Sequence, residues 1–234
     1  MNPAPVRGII FDKDGTLFDF GTTWEAWAAS FLLRAADGDA AHATRAGAMV
    51  GFDWAARRFA RDSIVIASMP EEIAEALLPA FPRYTHASLV HLLNEEAALA
   101  PQAEAVPLIP FLDALRGRDL VLGVATNDAE TPARAHLGSA GVLNHFDFVA
   151  GSDSGHGGKP APGQLLAFCG HVALPPEHVI MVGDSLHDLH AGRAAGMRTV
   201  AVLTGLAVSD DLAPFADVVL PDIGHLPHWL DQVR

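Results

Sequence analysis

The sequence is poor in cysteine and in positive charge, and it has no long apolar run. Cys169 is the only cysteine among 234 residues. No internal disulfide can form, which suits a reducing compartment. Lysine and arginine number 15 against 28 aspartates and glutamates, a formal net charge of −13. A nucleic-acid polyanion would meet a repulsive field, so no nucleic-acid partner is expected. A small anionic ligand responds to its local site and remains compatible with the balance. No stretch of about 18 consecutive apolar residues occurs, so no membrane span is expected. The opening MNPAPVRGIIFDKDG meets charges after a short apolar run and does not read as a secretory leader. A cytoplasmic location is the expectation. Repeats of fixed period and low-complexity tracts are also missing.

Apolar residues make up 50% of the chain, enough to bury a sizeable core. The length fits one large domain, or one domain carrying an inserted module. Composition favours the second. Residues 22–100 are rich in alanine and helix formers, with apolar residues at helical spacing: Trp24, Trp27, Ala28, Phe31 and Leu32, then Ile73, Leu77 and Leu78. Breaks near Gly38, Gly51, Pro70 and Pro82 divide this stretch into four or five short helices with no strand. Elsewhere, short apolar runs alternate with helical stretches: Val6–Phe11, Leu120–Ala125, Phe146–Ala150, Val179–Val182, Thr199–Leu203 and Asp217–Leu220. Runs of this kind suit parallel strands buried on both faces. The expected architecture is an α/β core, residues 1–17 and 101–234, split by a helical insert over residues 18–100.

Ligands of open parallel sheets bind beyond the carboxyl ends of the strands, so the residues following each run carry the functional argument. After the first come Asp12-Lys13-Asp14-Gly15-Thr16, and after the second Thr126-Asn127-Asp128. The third leads to Ser152-Asp153 and on to Gly157-Gly158-Lys159-Pro160, and the fourth to Gly183-Asp184-Ser185 with Asp188 close behind. Asp12, Asp14, Asp184 and Asp188 on one edge repel one another when ionised. A hard divalent cation removes the conflict, and Mg²⁺ prefers carboxylate oxygens. A phosphoryl group fits such a site, with Lys159 and the metal neutralising its oxygens and Thr126 and loop N–H groups donating to them. Asp12 is then the candidate to attack phosphorus. Asp14 is the candidate to protonate the leaving oxygen and later to activate water.

These residues carry a resemblance. Phe11-Asp12-Lys13-Asp14-Gly15-Thr16-Leu17, Ala125-Thr126-Asn127, Gly158-Lys159-Pro160-Ala161-Pro162 and Gly183-Asp184-Ser185-Leu186-His187-Asp188 look like the four motifs of the haloacid dehalogenase-like superfamily, in order. A lone D-x-D is weak, whereas the four together are specific, and the resemblance spans essentially the whole chain. It implies a Rossmann-like core, a helical cap inserted after the first strand, and Mg²⁺-dependent phosphoryl transfer. It assigns Asp12 as nucleophile and Asp14 as acid/base. Asp12, the Asp14 backbone carbonyl and Asp184 hold the metal, with Asp188 as ligand or support. Thr126, Asn127 and Lys159 bind the phosphoryl group. The second aspartate of D-x-D favours a phosphatase or mutase over a dehalogenase, and the nearest likeness is to phosphoglycolate phosphatase-like members. Gly163 departs from the pattern, since such relatives often carry an acid there.

Each feature alone has a blander reading. Asp12 and Asp14 fit a turn, Thr126-Asn127 a helix cap, the glycines before Lys159 a flexible loop, and Asp184 and Asp188 a solvated helix start. Asp19 reads as a helix cap or linker. No histidine pair has convincing metal spacing, and the histidines read as surface or loop residues, His156 being the one nearest the Lys159 loop. Trp24, Trp27 and Trp54 read as core of the insert. Strand alternation points Lys13 away from Asp12 and Asp14 and leaves it without a role. Arg57 and Arg61, four apart on an expected helix with Arg58 turned away, are candidates to grip an anionic leaving group; the alternative is a solvated face. The leading function is a phosphatase acting on a small phosphorylated metabolite. A phosphomutase and a non-catalytic binding protein are the alternatives.

Overall fold

The computed structural model describes residues 4–60, 62–66 and 68–233. The chain begins with β1 (Gly8–Phe11) and passes at once into α1 (Phe20–Ala35), α2 (Ala40–Met49), a two-strand hairpin of β2 (Phe52–Asp53) and β3 (Arg58–Phe59), α3 (Pro70–Leu77) and α4 (His86–Ala98). It continues with α5 (Leu108–Arg116), β4 (Val121–Ala125), α6 (Glu130–Ser139), β5 (Phe148–Ala150), α7 (Gly163–Val172), β6 (Val179–Gly183) and α8 (Leu186–Ala195). The last elements are β7 (Arg198–Val202), α9 (Ser209–Leu212), β8 (Val218–Leu220) and α10 (Leu226–Gln232). Six strands form one parallel sheet in the order β5-β4-β1-β6-β7-β8. All six apolar runs of the sequence are strands, with ends shifted by one or two residues.

Side chains alternate across this sheet as the pleat requires. Ile9, Phe11, Leu122, Val124, Ile180 and Val182 join one cluster, closed by Leu112 and Leu115 of α5, Leu137 of α6 and Leu230 of α10. Ile10, Ala125, Val179 and Met181 face the other way onto Leu165 and Phe168 of α7 and Ala191 of α8. Helices on both faces explain why the strands read as nearly continuous apolar runs. β1 sits between β4 and β6, so the order of strands reverses there. A crevice at the carboxyl ends of the strands opens at such a reversal.

Residues 20–97 build a separate core around Trp27, Phe31, Leu32, Phe52, Leu77, Phe81 and Leu93. Trp27 and Phe31 stack with ring centres 5.5 Å apart. Asp19 caps α1 by accepting from Thr22 N–H at 2.7 Å, which fits the capping reading. Two links with the sheet run side by side: Asp19 N–H donates to Ala103 O (2.8 Å) and Ala105 N–H to Leu17 O (2.9 Å). The hairpin is a departure from the all-helical expectation. Asp53 accepts from Ala55 and Ala56 N–H (2.8 and 2.9 Å), turning the chain, and Phe52 pairs with Phe59 across it. Arg57 therefore lies in a turn with positive φ, over the ring of Trp54 at 4.2 Å, and not on a helix. Arg61, its expected helical partner, lies outside the described residues. Among the described residues no helix is long and apolar enough to cross a membrane.

Candidate active site

Asp12 follows β1 directly, and its N–H donates to Val182 O of β6 at 2.8 Å, which fixes it at the reversal point. The next residues fold back tightly: Leu17 N–H donates to Lys13 O and Gly15 N–H to Phe18 O. Gly15 has φ of +80°, and a Cβ there would stand 2.5 Å from Asp184 Oδ2. A Cβ on Gly205, after β7, would overlap the same oxygen. Thr204 Oγ1 donates to Gly15 O at 2.5 Å. The Asp184 carboxylate is thus gripped between two loops that have no room for side chains.

The third and fourth motifs are tied to the first by side chains. Asn127, just beyond β4, clamps the backbone of Lys159: its Oδ1 accepts from Lys159 N–H and its Nδ2 donates to Lys159 O, both at 2.8 Å. The buried Gln164 of α7 donates to Thr126 O and Gly151 O (both 3.0 Å). Held this way, Lys159 Nζ donates to Asp12 Oδ1 and to Asp188 Oδ1, each at 2.6 Å. The other oxygen of Asp188 accepts from Ser185 N–H (3.0 Å) and Ser185 Oγ (2.6 Å) at the start of α8. Asp12, Asp14, Thr126, Asn127, Lys159, Asp184 and Asp188 all line one cavity of about 660 Å³, counted out to its open mouth.

Charge in this cavity is out of balance. Asp12, Asp184 and Asp188 each offer an oxygen within 4.8 Å of the others, against the single ammonium of Lys159. Burial pushes the Asp12 carboxyl up to about 7, with Lys159 opposing and Asp188 and Asp14 adding. Burial, then Asp12 and Asp188, hold Asp184 well above the usual carboxylate range. Burial pulls Lys159 down, but Asp12 and Asp188 outweigh it and its pKa is raised. The three buried carboxylates form an oxygen-only donor set, which fits a hard divalent cation. Asp188 spends its oxygens on Lys159 and Ser185, so Asp12 and Asp184 are the freer ligands.

A second cluster lies beside the first and was not legible as one in the sequence. Lys13 is fully buried, and its Nζ reaches Asp14 (2.7 Å), His136 Nδ1 (2.9 Å) and Asp128 (3.4 Å). Expecting Lys13 to point away from Asp14 was incorrect. β1 ends at Phe11, so strand alternation no longer governs residues 12–14. His136 overturns the surface reading of the histidines in one case: it is 1% exposed, and its Nε2 meets Ala97 O of α4 at 2.6 Å. Burial, then Lys13, lowers its pKa to about 4. Asp128 was visible as the third residue after β4, but nothing in its spacing marked Lys13 as its partner.

Arg57 is not in the cavity wall. Trp24 and Trp27 are both buried in the insert core and present in the wall, together with Phe20, Ile73 and Leu93. His187 also lines the cavity, whereas His156 rests against Phe148 and is exposed. Gly163 has a steric reason, because a Cβ there would overlap His156 O.

The family model described as haloacid dehalogenase-like hydrolase matches residues 6–196. The chain belongs to that family. Among curated relatives of this hydrolase, a phosphoglycolate phosphatase of Nitrosospira multiformis is 28% identical over 223 residues, covering 94% of each chain. A phosphoglycolate phosphatase of Escherichia coli is 27% identical over 252 residues, 97% of this chain and 96% of that one. Two solved structures share the fold of the hydrolase. A predicted phosphoglycolate phosphatase from Haemophilus somnus aligns with a TM-score of 0.74 at 18% identity, over 96% of this chain and 97% of that one. A β-phosphoglucomutase from Clostridium difficile aligns with a TM-score of 0.68 at 17% identity, over 97% and 96%.

Proposed function

We propose that this hydrolase is a Mg²⁺-dependent phosphatase that cleaves a small soluble phosphomonoester through an aspartyl-phosphate. The observation that carries the reading is Asp12: a buried carboxylate at the end of the central strand, 2.6 Å from the Lys159 ammonium and within ligand reach of Asp184. The names of the curated relatives, phosphoglycolate phosphatases, support the same reaction class.

Asp12 attacks phosphorus through one carboxylate oxygen. A bond forms from Asp12 to phosphorus as the ester P–O bond breaks, and Asp14 gives its proton to the departing alkoxide oxygen. Asp14 then takes a proton from water, the water oxygen bonds to phosphorus, and the bond to Asp12 breaks. The net change is phosphomonoester plus water to alcohol plus inorganic phosphate. Lys159 and Thr126 hold the phosphoryl oxygens, and Asn127 keeps Lys159 in register. Asp12 and Asp184, with the Asp14 backbone carbonyl, would hold Mg²⁺, which would supply positive charge to offset repulsion between the carboxylates and a phosphate dianion. Asp188 supports this arrangement through Lys159. Residues 18–100 act as a cap over the core formed by 1–17 and 101–234, excluding bulk water during attack.

The test is phosphate release from a panel of small phosphomonoesters with Mg²⁺, for the wild type and for Asp12→Asn. Equal release of alcohol and phosphate by the wild type, and a loss of at least about 10³-fold in the variant, support the reading. An isomerised ester without free phosphate would point to a mutase. Near wild-type turnover by Asp12→Asn removes the nucleophile from the scheme.

A further inference from the structure

The cavity has two walls of opposite character. The sheet side supplies Asp12, Asp14, Thr126, Asn127, Lys159 and Asp184. The insert side supplies Phe20, Trp24, Trp27, Ile66, Ile73 and Leu93. The rings of Phe20, Trp24 and Trp27 form one continuous surface, with successive centres 6.5 and 5.1 Å apart. Among the described residues the insert brings no charged side chain to this wall. The two lysines nearby are already committed, Lys159 to Asp12 and Asp188 and Lys13 to Asp14 and Asp128. A second anionic group on the substrate would leave water to face mainly indole and aliphatic carbon with no cation to pair it, a costly transfer. An apolar group gains from the same surface.

Resting on the phosphatase reading, we propose that the substrate is a phosphomonoester whose alcohol carries a flat apolar group, an aromatic ring, seated against Trp24 and Trp27. The phosphoryl end occupies the charged wall and the ring the insert wall. Two polar residues, Ser68 and Asn94, also line the insert side, and of these Asn94 refines the reading, because its Oδ1 is buried without a hydrogen-bond partner. A hydroxyl or N–H on the ring meets it.

The experiment compares kcat/KM for 2-phenylethyl phosphate, n-propyl phosphate and 2-phosphoglycolate, whose leaving alcohols are of similar acidity, with acetyl phosphate as an activated control. The wild type is expected to prefer the phenylethyl ester over the other two by about ten- to a hundredfold, the gain from burying one ring. Ile66 is half-buried and lines the cavity, so Ile66→Arg, used once its melting curve matches that of the wild type, sets a guanidinium in the apolar wall. That variant is expected to lower the ratio of phenylethyl ester to 2-phosphoglycolate by about tenfold or more. A wild-type preference for 2-phosphoglycolate, lost in Arg61→Ala, would overturn the proposal in favour of a cationic subsite. Turnover of acetyl phosphate with no preference among the three esters would overturn it while leaving the phosphatase reading intact. Release of phosphate from none of the four would overturn the phosphatase reading and this proposal with it.

Discussion

Lys13 and Asp14 are neighbours in sequence whose side chains meet, Nζ lying 2.7 Å from the Asp14 carboxylate. The pair is anchored from the far side, because Nζ also touches His136 Nδ1 at 2.9 Å and His136 in turn contacts Ala97 O of the insert. A fully buried ammonium thus holds Asp14 from within the sheet domain and links it to α4. Breaking a buried ion pair by removing one partner typically costs about 3–5 kcal/mol, because the other charge stays behind. Lys13→Met keeps the length and apolar stem but leaves Asp14 and Asp128 facing each other. It should lower the unfolding free energy by about that amount in a denaturant titration, and adding Asp128→Asn should restore part of the loss. A Lys13→Met protein within about 1 kcal/mol of wild type would show that the cluster contributes little.

That cluster marks the limit of what the sequence discloses. The six strands were legible because each is an apolar run bounded by turn residues, and burial on both faces keeps such runs continuous. Asp12, Asp14, Thr126, Asn127, Lys159, Asp184 and Asp188 were legible because they follow those runs, and these seven line one cavity. Lys13 was misread because alternation was carried past Phe11, where β1 stops. The hairpin at residues 52–59 was misread because a two-residue strand has no period to detect. Its turn is set by Asp53, whose side chain caps two backbone N–H groups. The two roles of Trp24 and Trp27, packed in one core and facing a cavity, have no signature in helical spacing.

Gly163 gives a prediction with an inverted sign. At an ordinary helical position glycine is less stable than alanine by roughly 0.5–1 kcal/mol. Here an added methyl overlaps the His156 carbonyl, a backbone atom that cannot swing aside as a side chain can. Gly163→Ala should therefore destabilise, by about 1–3 kcal/mol as for other overpacked sites, and shift the loop that carries Lys159. Thermal denaturation checks the sign, and a stabilised variant would contradict the close approach.

The buried carboxylates give stability a particular pH dependence. The Asp12 carboxyl titrates near 7 in the folded chain, raised by burial from an ordinary value of 3.8. The folded state therefore retains a proton that the unfolded chain gives up, so this contribution to stability is present at low pH and is lost as pH rises from about 4 to about 7. A divalent cation competes with that proton. Melting of metal-free protein should show this loss between pH 5 and 7, less steeply in Asp12→Asn. Added Mg²⁺ should raise the wild-type melting temperature more at about pH 8 than at about pH 5. An equal Mg²⁺ shift at both values would contradict competition at these carboxylates.

Asp14→Asn should separate the two halves of the proposed reaction. Asparagine keeps a side-chain oxygen that accepts from Lys13 Nζ, so the contact that positions residue 14 survives, while the group that carries a proton is gone. A nitrophenolate leaves without help, so the variant should still form the aspartyl-phosphate from nitrophenyl phosphate. Water activation has no such substitute, so the aspartyl-phosphate should accumulate. An alkyl phosphate, whose leaving oxygen needs the proton, should show a much larger loss at the first step. Acid-quenched labelling with ³²P-phosphorylated substrate reads both effects: the variant should trap label on protein at a stoichiometry approaching one, where the wild type holds little. Rapid loss of that label, at the wild-type rate, would remove Asp14 from water activation. Equal loss of the alkyl and nitrophenyl reactions would remove it from leaving-group protonation.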